Sequence, residues 1–229
     1  MPAIPDPTFL RRIVLFRDLD LGDLAVLNGL MRRQELPAGA RLMASDTQGD
    51  SAYVIRQGAV KVHVEQEDGR DVIVAILGPG EIVGEMSVID REARSGSVVT
   101  LEDSVLFWID REAFQNCLRT MPRLTLNMTE ILSRRLRIAN ERIKALATLD
   151  VYGRIAHHLL VLANEYGEDV AGGTLIPIRL TQGDLASLVG ASRVRANQAL
   201  VLLKRRGAIT TDLNHHITVH KMDVLERIS

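Results

Sequence analysis

The run GEIVGEMSVIDREARSGS, Gly80 to Ser97, brings Gly84, Glu85, Arg94 and Ser95 together in one short stretch. These residue types suit one kind of ligand. A single guanidinium fork balances one negative charge and fits the oxygens of a phosphodiester. An adjacent hydroxyl adds a further donor to the same oxygens. A carboxylate repels that anion but accepts from a hydroxyl, so Glu85 selects a ligand that carries both. The competing reading is a set of turns with surface ion pairs.

A second constellation spans Leu180 to His220, LTQGDLASLVGASRVRANQALVLLKRRGAITTDLNHHITVH. Thr181 caps a short helix through Val189, Gly190 makes a turn, and Ser192 caps a second helix to about Arg206. Leu185, Ala186, Leu188 and Val189 form the apolar face of the first helix, and Ala199, Leu200, Leu202 and Leu203 anchor the second. This is the helix-turn-helix layout, with the second helix placed for a major groove, and GAITTDLNHHITVH reads as a two-stranded wing. Two ordinary packed helices are the alternative.

The elements that must hold these residues fall into three regions. Residues 36 to 110 read as β. Val60, Val62 and Val64 alternate with polar neighbours, as do Val72, Val74 and Ile76, with an Asp68–Gly69 hairpin between them. Glycines recur roughly every ten residues, which suggests a closed antiparallel sandwich or barrel. Short helices are expected over Pro7–Leu30 and Asp110–Leu118. From Arg123 a long run free of Pro and Gly carries Leu132, Leu136, Ala139, Ile143 and Leu146 as a heptad seam. Leu124, Ile131, Ile138 and Ala145 form a second apolar line. Two faces imply two packing partners, the β region and a second copy of the helix. Asp150 then caps a helix ending at Gly167. EDVAGGT reads as a loop and LIPIRL as a short strand.

Bulk properties narrow the classes. The 229 residues suit two domains, and 46% hydrophobic with 25% charged is ordinary globular composition. No apolar run reaches membrane-span length, the N-terminus lacks a secretory pattern, and one cysteine, Cys117, excludes an internal disulfide; a cytoplasmic protein is expected. The net charge of −1 hides a split, because Arg179 onward carries eight Lys/Arg against four Asp/Glu. That hints at a polyanionic partner. An enzyme would need a nucleophile–base pair, a phosphate-binding loop or converging metal ligands. The β region has only His63, and the pairs His157–His158 and His215–His216 point their neighbours in different directions. No enzyme activity, metal or iron–sulfur cluster is expected.

The order of these parts resembles the catabolite activator (cyclic-AMP receptor) branch of the bacterial CRP/FNR transcription regulator superfamily. The resemblance is most specific at GEIVGEMSVIDREARS, at RRLRIANERI with LDVYGRIAHHLL, and at LTQGDLASLVGASRVRANQAL. It implies an α+β chain with an N-terminal antiparallel, jelly-roll-like β-roll sensor (1–121), a dimerisation helix and hinge (122–149) and a winged helix-turn-helix domain (150–229). It implies a cyclic nucleotide pocket of Val62, Val74, Gly84, Glu85, Met86, Arg94, Ser95, Arg135, Ala139 and Asn140. Glu85 would accept from the ribose hydroxyl, and Arg94 with Ser95 would hold the cyclic phosphate. Ala139 and Asn140 depart from the two hydroxyl residues that cyclic-AMP sensors set against adenine, so cAMP is expected with cGMP or another nucleotide open. Thr181, Gln182, Ser192, Arg193, Val194, Arg195, Asn197 and Gln198 would face DNA, with Arg193 reading guanine. Val194 stands where a glutamate would accept from cytosine, and Gln198 where a second arginine is common. The implied partners are twofold-related half-sites on duplex DNA, a second copy of the chain, and RNA polymerase, with no membrane; residues 168–174 lie where family activators touch polymerase, but their sequence is not distinctive. Haem is disfavoured because no histidine lies between His63 and His157. A regulator that binds DNA constitutively or with another effector, and a nucleotide sensor that never meets DNA, stay open.

Overall fold

The computed structural model describes residues 10, 11, 13–66 and 71–229. Its contacts divide the chain into two bodies, residues 1–64 with 76–137 and residues 65–75 with 138–229.

In the first body a 3-10 turn, Val14–Phe16, leads to helix α1, Leu21–Leu30, capped by Asp20, which accepts from Asp23 N at 2.8 Å. Strands β1 (Arg32–Leu36), β2 (Arg41–Met43), β3 (Ser51–Gln57), β4 (Val60–Glu65), β5 (Asp71–Leu77) and β6 (Ile82–Val83) follow. Helix α2, Glu85–Asp90, precedes β7 (Ser97–Thr100) and β8 (Ser104–Asp110). Helices α3, Arg111–Thr120, and α4, Pro122–Thr148, follow, and the bodies divide within α4 after Arg137. One sheet has the order β1-β8-β3-β6 and the other β2-β7-β4-β5, with the bodies dividing within β5. Tyr53 opposes Trp108 in the first sheet, and Val62 opposes Val98 in the second. Phe16, Leu24, Ala52, Val54, Ile82, Phe107, Ile109 and Phe114 pack into one apolar core with Leu124, Met128 and Ile131 of α4. The expected β-roll with its short flanking helices is present. Pro7 and the Asp68–Gly69 hairpin lie outside the described residues.

The strand alternation differs from the simple reading. Val60 and His63 are buried in β4, whereas Val62 and Val64 are only half-buried. In β5 Ile73 and Ile76 are buried while Val72 and Val74 are exposed. A rolled sheet turns different stretches of one strand toward different surroundings, so a period of two cannot name the inward face.

Helix α4 bears out the expectation of two apolar lines. Leu124, Met128, Ile131 and Ala145 are buried. Asn127, also buried, donates from Nδ2 to the carbonyls of Leu15 at 3.0 Å and Arg17 at 2.7 Å, which locks the helix to the 3-10 turn. The seam residues Leu132, Leu136, Ala139, Ile143 and Leu146 are all exposed, Leu136 by 62% and Ile143 by 65%.

The second body starts its own core with α5, Val151–Tyr166, whose cap Asp150 accepts from Gly153 N at 2.8 Å. Strands β9 (Glu168–Val170) and β10 (Gly173–Ile176) follow, then α6 (Gln182–Leu188), α7 (Arg193–Arg205), β11 (Ile209–Thr211), β12 (Ile217–Val219) and α8 (Met222–Glu226). The sheet order is β11-β12-β10-β9. The expected loop at EDVAGGT is therefore a hairpin, and the strand expected at LIPIRL begins at Gly173 and ends at Ile176. Thr174↔Val219 and Ile176↔Ile217 pairing with the wing recruits the loop glycine into the ladder, and Pro177 lacks the N–H to continue it. Gly153 faces the Ile228 carbonyl of the C-terminal turn at a distance that leaves no room for a side chain.

His158 of α5 is buried, and burial, with Arg142, His157 and Arg154 nearby, pushes its pKa from 6.5 down to about 3. The unfolded chain takes this proton near 6.5 while the folded one refuses it until about 3. Stability therefore falls as pH drops below 6.5 and levels off below 3. Moving from pH 7 to pH 5 is expected to cost about 2 kcal/mol through this group. Urea unfolding at the two pH values should show that loss, and His158→Gln should remove most of it.

Candidate functional site

Arg94 is the centre of the β-roll site. It follows the one-residue bridge Gln48↔Ala93 and is 6% exposed. Nη1 donates to the Gly84 carbonyl at 2.7 Å and to the Ser87 hydroxyl at 2.9 Å, and Nη2 to the Ser51 carbonyl at 2.7 Å. All three acceptors are neutral. Nε has no partner among the described residues. Burial lowers the arginine pKa, and Tyr53, Asp50 and Glu85 counter this only in part. A buried cation held by dipoles alone is an electrostatic invitation to an anion.

The backbone around Arg94 is cut to its shape. Gly84 sits at φ 82°, a left-handed value, and a Cβ there would stand 2.5 Å from Arg94 Nη1. A Cβ on Gly49 would overlap the Ser87 hydroxyl and lie 3.1 Å from Arg94 Cζ. Arg111 holds the Gly49 carbonyl from Nε at 3.0 Å.

Glu85 opens α2 and is buried. Its Oε1 accepts from Arg135 Nη1 of α4 at 2.6 Å. Arg135 also gives Nη2 to Glu81 Oε2 at 2.8 Å and to the Ile82 carbonyl. Glu81, buried beside it, takes a second guanidinium from Arg134. Burial lowers the Arg135 pKa, but Glu85 and Glu81 outweigh it and the net shift is upward. Burial raises the Glu81 pKa, but Arg135 and Arg134 outweigh it and the net shift is downward.

Of the residues expected to line this pocket, Gly84 and Arg94 join Ser51 and Ser87 in one hydrogen-bonded set, and Glu85 and Arg135 join Glu81 in a second. Met86 and Ser95 are exposed beside it in the chain, and Val62 is half-buried on β4. Val74, Ala139 and Asn140 belong to the second body, where Val74 offers its carbonyl to Arg142. Sequence reasoning missed Gly49, Ser51, Ser87 and Glu81. Ser51 acts through its backbone and so leaves no side-chain signal. Glu81 and Ser87 could have been suspected from their spacing around Gly84.

The second surface belongs to α6 and α7. Thr181 Oγ1 accepts from Asp184 N at 3.1 Å and Asp184 Oδ2 accepts from Thr181 N at 3.1 Å, closing a capping box, and Oγ1 also donates to Oδ2 at 2.6 Å. Its hydroxyl is therefore committed to the helix start, and Gln182 beside it is exposed. Gly190, at φ 62°, makes the turn, and Ser192 caps α7 by accepting from Arg195 N at 3.3 Å. Ala196, Ala199, Leu200 and Leu203 are buried. Leu202, expected as an anchor, is exposed, because its position on the helix faces away from those four. Arg193, Val194, Arg195, Asn197 and Gln198 are all exposed, Val194 by 67%. The Arg193 guanidinium folds back along α6, where a Cβ on Gly183 would stand 3.1 Å from Nη2. Arg195 and Gln198 line a cleft of about 510 Å³ with Tyr152, Arg154 and Leu202. Val201 and Arg205 share the outward face with Val194 and Gln198 at helical spacing, and were not singled out from sequence.

Among the described residues no cluster of three or more His, Cys, Asp or Glu is arranged for a metal ion, and no helix is long and apolar enough to cross a membrane.

A rolled β domain with a buried anion-seeking arginine, joined by one long helix to a winged helix-turn-helix, defines a ligand-sensing DNA-binding regulator. Residues 33–121 match the family model described as a cyclic nucleotide-binding domain, and residues 153–228 match that of a Crp-like helix-turn-helix domain. The chain is 33% identical over 200 residues to a CRP-like cAMP-activated global transcriptional regulator of Mycobacterium tuberculosis, across 87% of this chain and 89% of that protein. It is 30% identical over 195 residues to a cyclic AMP receptor protein of Thermus thermophilus, across 85% and 87%. The crystal structure of CLP, a c-di-GMP responsive global regulator of Xanthomonas campestris, superposes with a TM-score of 0.73 at 26% identity, across 88% of this chain and 99% of that one. The chain belongs to the CRP/FNR family of DNA-binding transcription regulators, with a cyclic nucleotide-binding domain and a Crp-like helix-turn-helix.

Gly49→Ala is expected to destabilise the protein by roughly 1–3 kcal/mol through overpacking against Ser87 and Arg94. Adding Ser87→Gly should recover part of that loss, as read by thermal melting of the two variants.

Proposed function

We propose that the chain is one protomer of a homodimeric transcription regulator whose affinity for DNA is set by a cyclic nucleotide, cAMP, bound against Arg94. The observation that carries this is the Arg94 environment, a buried guanidinium with neutral partners only. A cyclic phosphate brings the one missing charge, and Ser95 adds a hydroxyl donor next to it. Glu85, kept in place by Arg135, accepts from the ribose hydroxyl. Val62 and Val74 supply apolar contact, Met86 flanks the cradle, and Ala139 with Asn140 meet the base. The exposed seam Leu132, Leu136, Ala139, Ile143 and Leu146 is the surface on which two copies pair.

Control works as a population shift. A nucleotide that binds the DNA-competent arrangement better raises its population, and about 10⁴-fold preference turns a 1:99 equilibrium into 99:1. Two recognition helices must then match half-sites roughly 34 Å apart. Arg193 reads a guanine, Val194 leaves room for a thymine methyl, and Asn197 and Gln198 suit adenine. Arg195, Gln182 and the α6–α7 cap residues Thr181 and Ser192 lie toward the phosphates. The β9–β10 hairpin is the surface for RNA polymerase.

A second effector is favoured by one departure. Ala139 has no polar group to meet a base, and the similar Xanthomonas regulator is described as responsive to c-di-GMP. Calorimetric titration with cAMP, cGMP and c-di-GMP separates these readings, and the expected order puts cAMP first. Arg94→Ala should weaken the preferred nucleotide about a hundredfold, since its anion then has no buried charge partner. Equal affinity in the two proteins would remove Arg94 from the site.

Arg193→Ala should cost roughly 1–3 kcal/mol on a selected operator and much less on random duplex. Equal losses on both, measured by gel shift at fixed salt, would make Arg193 a phosphate contact instead.

A further inference from the structure

Glu81 stands between Gly80 and β6, and its side chain is 9% exposed. Both of its oxygens are used by consecutive residues of α4. Oε1 takes Arg134, and Oε2 takes Arg135 at 2.8 Å. Neighbouring side chains leave a helix about 100° apart. Both reach one carboxylate only when it sits between their two directions. Turning α4 about its axis in either sense would pull one guanidinium off Glu81.

The same Arg135 holds Glu85 with its other nitrogen at 2.6 Å. Two buried carboxylates and two arginines thus form a neutral set, and Arg135 is shared between the carboxylate aimed at the ligand and the carboxylate that registers the helix. Leu132 and Leu136 lie within one turn of this clamp on an exposed face. Glu81 grips the helix next to that face, while Asn127 and the apolar line hold it nearer its start.

We propose that Glu81 is the positioning residue that converts occupancy of the nucleotide site into a defined rotation of α4. This rests on the nucleotide-controlled reading above. A ligand hydroxyl on Glu85 competes for the carboxylate that Arg135 holds, and shifts the division of Arg135 between Glu85 and Glu81. The grip on α4 tightens or loosens accordingly. Glu81 itself touches no ligand. The lowered pKa of Glu81 is consistent with a carboxylate that stays charged in this role.

The test uses the full-length protein with Glu81→Gln, which keeps the shape and removes the charge, and Glu81→Asp, which keeps the charge one methylene short. Two measurements are made on each. The first is amide hydrogen exchange of residues 128–137 without nucleotide, which needs no effector. Glu81→Gln should speed exchange there about tenfold by local opening, with Glu81→Asp intermediate. The second is the ratio of operator affinities with and without saturating cAMP. Glu81→Gln should cut that ratio about tenfold while cAMP affinity stays within about threefold. Unchanged exchange in Glu81→Gln overturns the clamp. An unchanged ratio, or a variant that loses cAMP affinity with full response at saturation, overturns the coupling role. If the wild-type protein shows no nucleotide response at all, the functional reading fails, and the exchange measurement still decides whether Glu81 registers α4.

Discussion

A positive charge buried inside a β-roll without a counter-ion is the constraint around which the sensor is built. An isolated ion removed from water is costly, and Arg94 offsets that cost with carbonyls and a hydroxyl rather than with carboxylates. Had an aspartate filled the place of Ser51 or Ser87, the site would be neutral and closed to anions. The neutral shell also explains the two tight glycines. The Gly84 carbonyl reaches Nη1 only from a left-handed backbone, and Gly49 lets Ser87 and the guanidinium lie side by side. Local strain and missing side chains are thus consequences of one cation. Arg135 holds the Glu85 carboxylate and keeps it from closing onto Arg94 as a simple ion pair.

The long helix serves two masters with separate faces. Its inner line is fixed by apolar burial and by Asn127, whose amide answers two carbonyls that the 3-10 turn leaves outside any ladder. Those contacts are local and would hold without a ligand. Its outer line exposes four large aliphatic side chains in heptad order, a surface that monomeric proteins seldom leave to water. Between the two lines sit Arg134 and Arg135, where the helix is held by buried carboxylates instead of packing. Electrostatic contacts are directional and can be redistributed by a ligand, whereas the apolar ones mainly resist movement. The charged stretch is therefore where a small molecule has most leverage on the helix.

The sequence was most informative where local chemistry decides the outcome. Thr181, Ser192 and Asp150 cap the helices they were expected to cap, because capping depends on a residue and the next three. The heptad seam was equally plain, since a helix fixes its own periodicity. Strand faces were less so. Val62 and Val74 looked like inward positions by alternation, yet His63 and Ile73 are the buried ones, because the roll and not the strand chooses the inside. The site was half readable. Arg94, Glu85 and Gly84 announce themselves by type and spacing. Ser51 enters through a carbonyl from another strand, and Glu81 through a helix more than fifty positions away, as the Arg134 and Arg135 contacts show. Such partners are set by tertiary folding and carry no local mark. Leu202 failed as an anchor for the opposite reason, since a run of leucines hides which of them lies on the buried stripe.

Affinity and selectivity at such a site have different physical origins. On the proposed reading Arg94 and its neutral shell meet a ring phosphate common to the cyclic nucleotides, and so would govern how tightly any of them is held without distinguishing the base. Glu85, on the same reading, would add a demand for a ribose hydroxyl, which again all share. Discrimination is left to residues with little charge. Ala139 offers only a methyl, which restricts shape but rewards no particular edge. Asn140 carries both a donor and an acceptor, and can satisfy adenine or guanine by turning its amide over. On that reading the common part of the ligand would be bound strongly and the variable part weakly. Preference among nucleotides would then depend on how firmly the helix bearing Asn140 is held, which ties specificity to the proposed rotation of α4 rather than to the cradle itself.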